Sequence, residues 1–471
     1  MQTNILNNDT ICAIATPNGM GAIATVRVSG AKAFPIVAAL FQRRGKFLEI
    51  SEIVTHKAYH GHLINKSELL DEVLVTFFKA PHSFTGEDSA EISVHGSVFV
   101  QQKLLQVLIA NGCRMAEAGE FTRRAFVNGK FDLAQAEAIA DLISSESEAS
   151  HRVAINQLRG GFSKELQVLR SKLLEMTSLM ELELDFSEED VEFADRSQLK
   201  ALLQEALDKV NRLKDSFRLG NAIKNGVPVA IVGQTNTGKS TLLNALLGED
   251  RAIVSDIAGT TRDTIEETLN INGILFRFID TAGLRETEET IERIGIERSY
   301  RKIAEATVVI GMLDATKDTE NLLLAAHEIL ERIDLEHQQL ILCINKVDTL
   351  DDQGEALLGH LRADLDNDEI MVICLSAKHK FGLNDLYNTL KHSQPLSYPD
   401  ATLVTNVRHY EALLHASDSL SQVQQGLGMN IPTDLVSQDL REAIHYLGTI
   451  TGEITTDEVL GSIFSRFCIG K

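Results

Sequence analysis

The chain has 471 residues, 44% of them hydrophobic and 24% charged, which predicts several folded domains rather than one. No run approaches the roughly twenty uninterrupted apolar residues of a membrane span, and the first ten residues contain no lysine or arginine, so neither a membrane protein nor a signal peptide is expected. The net charge of −22 excludes a broad nucleic-acid-binding surface, so any RNA contact must be local or made by a partner.

The cysteines indicate the compartment. There are five, an odd number at wide spacing, which favours a reducing environment over a disulfide framework. They are Cys12, Cys113, Cys343, Cys374 and Cys468. We therefore expect a cytoplasmic protein.

The first segment, residues 1–122, mixes strand and helix patterns. Apolar runs between turn residues predict strands at Ile11–Ala15, Ala22–Val28, Glu72–Phe78 and Ala90–Val94. Helical spacing predicts helices at Ala31–Phe41 and Phe99–Asn111. The segment is therefore expected to be an α+β domain.

Residues 123–220 show helical periodicity with almost no proline. Apolar residues recur at helical spacing from Leu133 to Ile143 and again from Leu166 to Met176. Gly160-Gly161 predicts a helix end, and Ser187–Asp190 predicts an acidic turn. A helical bundle is expected here.

Residues 221–393 alternate apolar strands with helices, which is typical of a doubly wound parallel sheet. The predicted strands are Val229–Val232, Ile274–Ile279, Thr307–Leu313, Gln339–Ile344 and Ile370–Leu375. Residues 394–471 become helical again. We expect the two flanking helical segments to form one domain that the α/β domain interrupts.

A phosphate-binding loop is predicted at Gly233-Gln-Thr-Asn-Thr-Gly-Lys-Ser240, which fits the pattern GxxxxGK[ST]. A predicted strand precedes it, and a predicted helix over Thr241–Leu247 follows it, as this motif requires. Backbone N–H groups of such a loop converge on a phosphate at the positive end of the helix. Lys239 would neutralise the β- and γ-phosphates, and the Ser240 hydroxyl would ligate Mg²⁺.

Three further motifs follow at predicted strand ends. Asp280-Thr-Ala-Gly283 would hold Mg²⁺ through water and sense the γ-phosphate. Asn345-Lys-Val-Asp348 would select guanine, because the Asp348 carboxylate can accept both the N1–H and the exocyclic amine, a donor pair that adenine lacks. Ser376-Ala-Lys378 would close over the base. The ordered set predicts a GTPase and resembles the small GTPase superfamily.

Two features concern hydrolysis. Thr261, between the phosphate loop and Asp280, is predicted to complete the Mg²⁺ shell when the γ-phosphate is present, although an ordinary polar loop is the alternative. Leu284 stands where Ras-type proteins carry the glutamine that orients the attacking water, so another group must position it. Asn236 could ligate a monovalent cation beside the phosphates or only stabilise the loop; the residue alone favours neither.

Several runs closely resemble the MnmE (TrmE) family of tRNA uridine-modifying GTPases. Four of them lie around the nucleotide motifs: Asn236–Ser240, Asp256–Asp263, Asp280–Arg285 and Glu292–Arg298. Three lie outside them: Pro81–Asp88, Gly119–Phe126 and the C-terminal Cys468-Ile-Gly-Lys471. One departure is Thr235, where the family commonly has proline, and it bears on the rigidity of the loop.

The resemblance implies a multidomain α/β and α architecture. Residues 1–122 would form the α+β domain that binds tetrahydrofolate and makes a homodimer. Residues 123–220 and 394–471 would form a helical domain, interrupted by a Ras-like doubly wound G domain at residues 221–393.

The resemblance also implies K⁺-dependent hydrolysis by two G domains paired across their nucleotides. Asn236, Ser255, Ile257 and Thr260 match the K⁺-ligating positions, and Glu292 matches the glutamate that positions the catalytic water through a second water. Asn236, Lys239, Glu292 and Cys468 would be the catalytic residues, and Ser240 and Thr261 would bind Mg²⁺. The GTP-binding set comprises Asn236, Thr237, Gly238, Lys239, Ser240, Thr241, Ser255, Asp256, Ile257, Ala258, Gly259, Thr260, Thr261, Asp280, Thr281, Ala282, Gly283, Asn345, Lys346, Asp348, Ser376, Ala377 and Lys378.

A one-carbon site is implied in the first domain. Arg27, Glu87, Lys130 and Lys471 match positions that contact a tetrahydrofolate derivative, where a carboxylate suits the pterin N–H donors and cations suit the glutamate tail. Cys468 sits where family members carry a cysteine near this site, and a semi-buried thiol without chemical role is the alternative.

A flavin-dependent partner carrying FAD is implied as well. With it, the family modifies carbon 5 of the wobble uridine of certain tRNAs, adding an aminomethyl or carboxymethylaminomethyl group. The resemblance thus predicts a homodimer, a hetero-oligomer with that partner, and tRNA contact made largely by the partner. The alternatives are a regulatory or ribosome-assembly GTPase with unrelated flanks, and an ATP-using phosphate-loop enzyme.

Overall fold

The computed structural model divides into two compact units. One comprises Met1–Ala140, Gln157–Gln204 and Asp418–Lys471, and the other comprises Asp141–Asn156 and Glu205–Ser417. The residues that the structure describes are 9–185, 196–248, 267–271, 273–279, 306–335, 338–351, 354–365, 367, 370–392, 402–429, 431, 433–465, 467 and 470. The four-part division into domains stays a prediction.

An eight-stranded sheet with two helices on one face builds the first part of the chain. The strands are β1 (Thr10–Ile14), β2 (Ile23–Ser29), β3 (Phe41–Arg43), β4 (Lys46–Phe47), β5 (Ala58–Asn65), β6 (Glu68–Phe78), β7 (Ser89–His95) and β8 (Cys113–Met115). Their order is β4-β3-β5-β6-β7-β2-β1-β8, with β1 and β8 parallel and the other pairs antiparallel.

The core of this sheet follows from its alternating sequence. On β2, Ala24, Val26 and Val28 are buried, while the residues between them face the other side of the sheet. Helices α1 (Ala33–Leu40) and α2 (Val98–Ala110) cover the apolar face. The predicted α+β fold is confirmed, and its four predicted strands and two predicted helices agree with the structure to within a few residues.

Helices follow without interruption by strands. They are α3 (Glu120–Val127), α4 (Leu133–Ile143), α5 (Glu148–Leu158), α6 (Gly161–Asp185), α7 (Arg196–Asp215) and α8 (Phe217–Asn225). The predicted helix end at Gly160-Gly161 is confirmed, because α5 ends just before it and Gly160 has φ +78°, a left-handed value that glycine adopts without strain. The acidic turn predicted at Ser187–Asp190 lies outside the described residues.

A six-stranded sheet forms the centre of the second unit. Its strands are β9 (Val227–Val232), β10 (Glu267–Ile271), β11 (Ile274–Phe278), β12 (Val308–Asp314), β13 (Gln339–Asn345) and β14 (Met371–Cys374), in the order β10-β11-β9-β12-β13-β14. Only the β10–β11 pair is antiparallel. Among the described residues, the helices of this domain are α9 (Lys239–Leu247), α10 (Thr319–Leu330), α11 (Glu355–Leu365) and α12 (Leu383–His392).

Both faces of this sheet are buried. Val227, Val229 and Ile231 belong to one apolar core, while Ala230 and Val232 of the same strand belong to another. A strand covered on both faces reads as a continuous apolar run, which is why these strands were visible in the sequence. The predicted doubly wound G-domain fold is confirmed.

The last helices are α13 (Val407–Gly428), α14 (Thr433–Thr451) and α15 (Asp457–Phe464). In the first unit, α14 packs against α6, and α15 packs against α3. Phe464 joins the apolar cluster of Leu133 and Ala136, and a side chain at Gly119 would meet the Phe464 carbonyl at 2.6 Å. In the part of the chain that the structure describes, no helix combines the length and apolarity needed to cross a membrane.

Candidate functional site: the phosphate loop and the base-binding motifs

The predicted phosphate loop connects β9 to α9. Gly233 has φ +146° and Gly238 has φ +98°. A Cβ atom at Gly233 would collide with the Met312 carbonyl, and one at Gly238 with the Asn345 amide. Both positions therefore require glycine for backbone conformation and for space. Asn236 is exposed in this loop and also has a positive φ, +62°.

Lys239 begins α9 and folds back over the loop. Its Nζ donates hydrogen bonds to the carbonyl oxygens of Gly233, at 2.9 Å, and Gln234, at 2.8 Å. Burial lowers the pKa of the Lys239 ammonium. Thr237 fixes the same turn, because its buried hydroxyl donates to the Gln234 carbonyl at 2.9 Å. A cation thus lies beside the N-terminus of α9, where phosphate oxygens are favoured.

Asn345, the last residue of β13, joins three of the predicted motifs. Its Nδ2 donates to the Thr237 carbonyl at 2.8 Å, and its Oδ1 accepts the Ala377 N–H at 3.0 Å. The side chain is only 3% exposed. The phosphate loop and the Ser376-Ala-Lys378 loop are therefore held at fixed distance across Asn345, as a site for one nucleotide requires.

Asp348 lies next to this junction with its carboxylate accessible. The Ser376 hydroxyl donates to the carboxylate and lowers its pKa, outweighing the effect of partial burial, and His379 and Lys378 add to the lowering. The His379 Nε2 lies 3.6 Å from Asp348 Oδ2, and Lys378 is exposed. An ionised carboxylate with free lone pairs can accept the two N–H donors on one edge of guanine.

Asp314 is a residue of this site that the sequence reasoning missed. It ends β12 in register with Asn345, and its Oδ2 lies 2.7 Å from the Lys346 Nζ. Its Oδ1 accepts the Thr316 hydroxyl at 2.7 Å and the Thr316 N–H at 3.0 Å. Burial would raise the pKa of Asp314, but these hydrogen bonds lower it. The signal available was position: adjacent parallel strands end at the same edge of the sheet.

Asp314→Asn is expected to weaken GDP binding about tenfold, a change of about 1–2 kcal/mol, because the ion pair that orients the Lys346 side chain of the predicted base-binding motif is lost. Isothermal titration calorimetry at pH 7.5 measures it. The matched control is Asp318→Asn, which removes the same charge from an exposed residue that caps α10. Equal affinities for Asp314→Asn and wild type would show that Asp314 does not position Lys346.

The remaining predicted nucleotide and hydrolysis residues lie outside the described part of the chain and stay predictions. They are Ser255, Asp256, Ile257, Ala258, Gly259, Thr260, Thr261, Asp280, Thr281, Ala282, Gly283 and Glu292. The same holds for Cys468 and Lys471 of the one-carbon site.

Arg27, one of the residues predicted for the one-carbon site, lies on β2. Its guanidinium donates to Glu91 Oε1 of β7, at 3.0 Å from Nε and 2.8 Å from Nη2. The same group lies 5.0 Å from the ring centre of Phe84 and 5.6 Å from that of Phe121. The structure therefore places Arg27 in an ionic and aromatic setting.

Glu87 and Lys130 lie on neighbouring loops. Glu87 accepts the Ser29 hydroxyl at 2.9 Å, and both its oxygens lie within 3.2 Å of Arg124 Nη1. The Lys130 stem lies against Gly86, and its Nζ donates to the Pro81 carbonyl at 3.0 Å. Arg124 was not predicted as a site residue, although it lies in the run Gly119–Phe126 that carried the family resemblance.

Glu120 is the buried carboxylate that binds Arg124 and Arg114. It is 1% exposed and accepts hydrogen bonds from Arg114, Arg124 and the Glu117 N–H. Burial alone would raise its pKa, but Arg114, the Glu117 N–H and Arg124 outweigh burial and lower the pKa to about 2. A carboxylate with a lowered folded-state pKa stabilises the fold above its unfolded pKa, and this stabilisation is lost as the pH falls from about 4.5 to about 2.

Glu120→Gln is expected to destabilise the first unit by about 3 kcal/mol, because the buried Arg124 and the partly exposed Arg114 guanidinium groups lose this carboxylate. Hydrogen exchange of β1 and β2 amides in a urea series measures the loss. Glu117→Gln is the matched control, since Glu117 is exposed and should change stability by less than about 0.5 kcal/mol. If the two variants exchanged at the same rate, the buried network would not carry the proposed stability.

Comparisons with known proteins cover nearly the whole chain. A protein-family model described as the MnmE helical domain matches residues 133–468. A second family model, described as the GTP-binding protein TrmE N-terminus, matches residues 10–130. The tRNA modification GTPase MnmE of Bacteroides fragilis is 54% identical over 470 residues, covering 99% of this chain and 100% of that protein. The Flavobacterium johnsoniae protein of the same name is 50% identical over 477 residues, covering 99% and 100%. Among solved structures, the G domain of the T. maritima FeoB iron transporter is 26% identical, covering 36% of this chain and 98% of that one, with a TM-score of 0.26.

Proposed function

Because this chain belongs to the MnmE (TrmE) family of tRNA modification GTPases, we propose that it hydrolyses GTP in the course of modifying tRNA. The observation that carries the proposal is the Asn345 junction, which holds the phosphate loop to the base-binding loop beside the Asp348 carboxylate. Guanine selection and phosphate binding thus meet in one site. The alternative of a ribosome-assembly GTPase with unrelated flanks loses support, because the identity extends over 99% of the chain.

Phosphate binding follows from the loop itself. The N–H groups at the start of α9 and the Lys239 ammonium bind the β- and γ-phosphates. The Ser240 hydroxyl, with Thr261, would hold Mg²⁺, which offsets charge on these phosphates. Lys239 exchanges its two loop carbonyls for phosphate oxygens, and these are stronger acceptors because they are charged.

The residue that orients the attacking water and the cation that offsets the developing charge must differ from those of Ras-type proteins. Leu284 cannot orient water, so we propose Glu292 for that role. Asn236 would hold K⁺ together with Ser255, Ile257 and Thr260, placing a cation where charge develops between the β- and γ-phosphates. Supporting this role, Asn236 is exposed in a loop whose left-handed turn the structure fixes.

GTP hydrolysis in KCl and in NaCl at equal ionic strength tests this part of the proposal. Wild type is expected to hydrolyse at least about tenfold faster in KCl, because the bound cation stabilises developing charge, and Asn236→Ala should lose the difference. Gln234→Ala, a change of another exposed loop side chain, should keep it. Equal wild-type rates in the two salts would rule out the K⁺ mechanism while leaving GTP binding intact.

The first unit would supply the one-carbon group. We propose that Arg27, Glu87, Lys130 and Lys471 bind a tetrahydrofolate derivative, and that FAD on a separate partner supplies the redox step. Supporting the inclusion of Lys471, the preceding residue, Gly470, is buried against the Ile14 carbonyl at the end of β1. Cys468 would lie in the same C-terminal segment. The proposed assembly is a homodimer that joins this partner, with tRNA as substrate.

A further inference from the structure

The hairpin of β3 and β4 carries a cluster of cations at one edge of the first sheet. Arg44 and Gly45 turn the chain with φ values of +50° and +78°, as in a two-residue hairpin turn with positive φ at both positions. Arg43 and Lys46 face each other across this turn, and β4 is the outermost strand of the sheet. The three basic side chains are therefore held together on a short, defined support.

Lys57 extends this cluster. Its Nζ lies 5.9 Å from the centre of the Tyr59 ring, and the Arg43 guanidinium lies 5.5 Å from the same centre. The two cations thus meet at one buried aromatic ring. All four side chains belong to exposed residues, and none forms an ion pair with a carboxylate in the described part of the chain.

Apolar side chains are exposed beside the cations. Phe47 is 49% exposed, Ile50 is 52% exposed and Val54 is 56% exposed. Charged residues on an edge strand often only prevent pairing with another sheet. That purpose would not explain why a phenylalanine on the same strand and two further apolar side chains are left in water. Cations with an exposed aromatic residue are the combination that binds phosphates and unpaired bases.

We propose that this basic edge, formed by Arg43, Arg44, Lys46, Phe47 and Lys57, binds the tRNA backbone and stacks Phe47 on an unpaired base. The proposal rests on tRNA being the substrate, as in the proposed function. A chain with a net charge of −22 repels a polyanion on average, so a local concentration of unpaired cations is where contact can be made. Glu49 and Glu52 lie in the same segment but do not pair with these cations.

The test measures how tightly the full chain binds an unmodified tRNA transcript that carries a wobble uridine. Fluorescence anisotropy gives the affinity at each concentration of a KCl series. The double variant Arg43→Glu/Arg44→Asn removes the two adjacent arginines. Asparagine is used at position 44 because it tolerates the left-handed backbone conformation found there. The control Arg159→Glu/Lys164→Gln makes the same charge change at exposed residues elsewhere in the first unit. Thermal unfolding confirms that each variant is folded.

The double variant is expected to bind about tenfold more weakly at moderate salt. The slope of log affinity against log salt concentration should become less steep by an amount that corresponds to about two phosphate contacts. The control should bind like wild type. Phe47→Ala should weaken binding about tenfold at every salt concentration without changing the salt dependence, because stacking releases no counterions.

Two results for the double variant would overturn the inference and leave the proposed function standing. One is tRNA binding by the double variant with the affinity and salt dependence of the control. The other is unchanged tRNA binding together with lost association with the flavin-dependent partner, which would make the basic edge a protein-binding surface. If wild type bound no tRNA in isolation, the inference would fail; modification by wild type with its partner would then show that the proposed function stands.

Discussion

Asp348→Asn is expected to weaken GTP binding by about a thousandfold and to create binding of xanthosine triphosphate. The Asp348 carboxylate accepts two N–H donors of guanine, and charge-assisted hydrogen bonds of this kind contribute about 4 kcal/mol together. Asparagine presents one N–H group in place of an acceptor oxygen. That group opposes the guanine amine but donates to the carbonyl that xanthine carries at the same position.

Calorimetric titration with GTP, ATP and xanthosine triphosphate measures this change. Asp351→Asn serves as the control, because it removes the same charge from an exposed residue three positions further along the chain. Its affinity for GTP should equal that of wild type. An Asp348→Asn protein that kept wild-type GTP affinity would show that the base lies elsewhere and that the Asn345 junction does not define the site.

Lys239→Ala is expected to reduce the single-turnover rate of GTP hydrolysis by about a thousandfold, the effect of removing one preorganised donor from a transition state with developing charge. The Lys239 ammonium is held over the loop by two carbonyl groups, so it is already near the place where the phosphates would bind. Because the Thr237 hydroxyl and the Asn345 amide still hold the loop, the loop should keep its conformation.

Rapid-quench measurement with Mg²⁺ and KCl determines that rate, and Lys317→Ala, a change at an exposed lysine near the end of β12, is the control. Its rate should match wild type. A Lys239→Ala rate within tenfold of wild type would mean that the phosphate loop does not contact the reacting phosphates as proposed.

The sequence predicted most directly the strands that are buried on both faces. The central strands of the second unit are apolar over their whole length because both faces are covered, so their positions could be read directly. Strand β10 was missed, since Glu267 and Asn270 interrupt an edge strand that pairs with one neighbour only. Strands β3 and β4 were missed because they are three and two residues long.

The site could be predicted as motifs but not as contacts. The identity of the phosphate loop and of Asp348 follows from residue type and order. The hydrogen bond from Asn345 to Thr237 joins residues 108 positions apart, and only the sheet register brings them together. The contacts of Asp314 and Arg124 could not be predicted for the same reason, because their partners Lys346 and Glu87 are distant in sequence.

The most direct test of the account is mass spectrometry of nucleosides from a tRNA incubated with this protein, its flavin-dependent partner, a tetrahydrofolate donor and either ammonium or glycine as the source of the amino nitrogen. With GTP and KCl, the wobble uridine should gain an aminomethyl-type group at carbon 5. With ATP in place of GTP, or with the Lys239→Ala protein, it should stay unmodified. An unmodified wobble uridine in the complete GTP reaction, or equal product without GTP, would contradict the assignment as a GTPase that acts in tRNA modification.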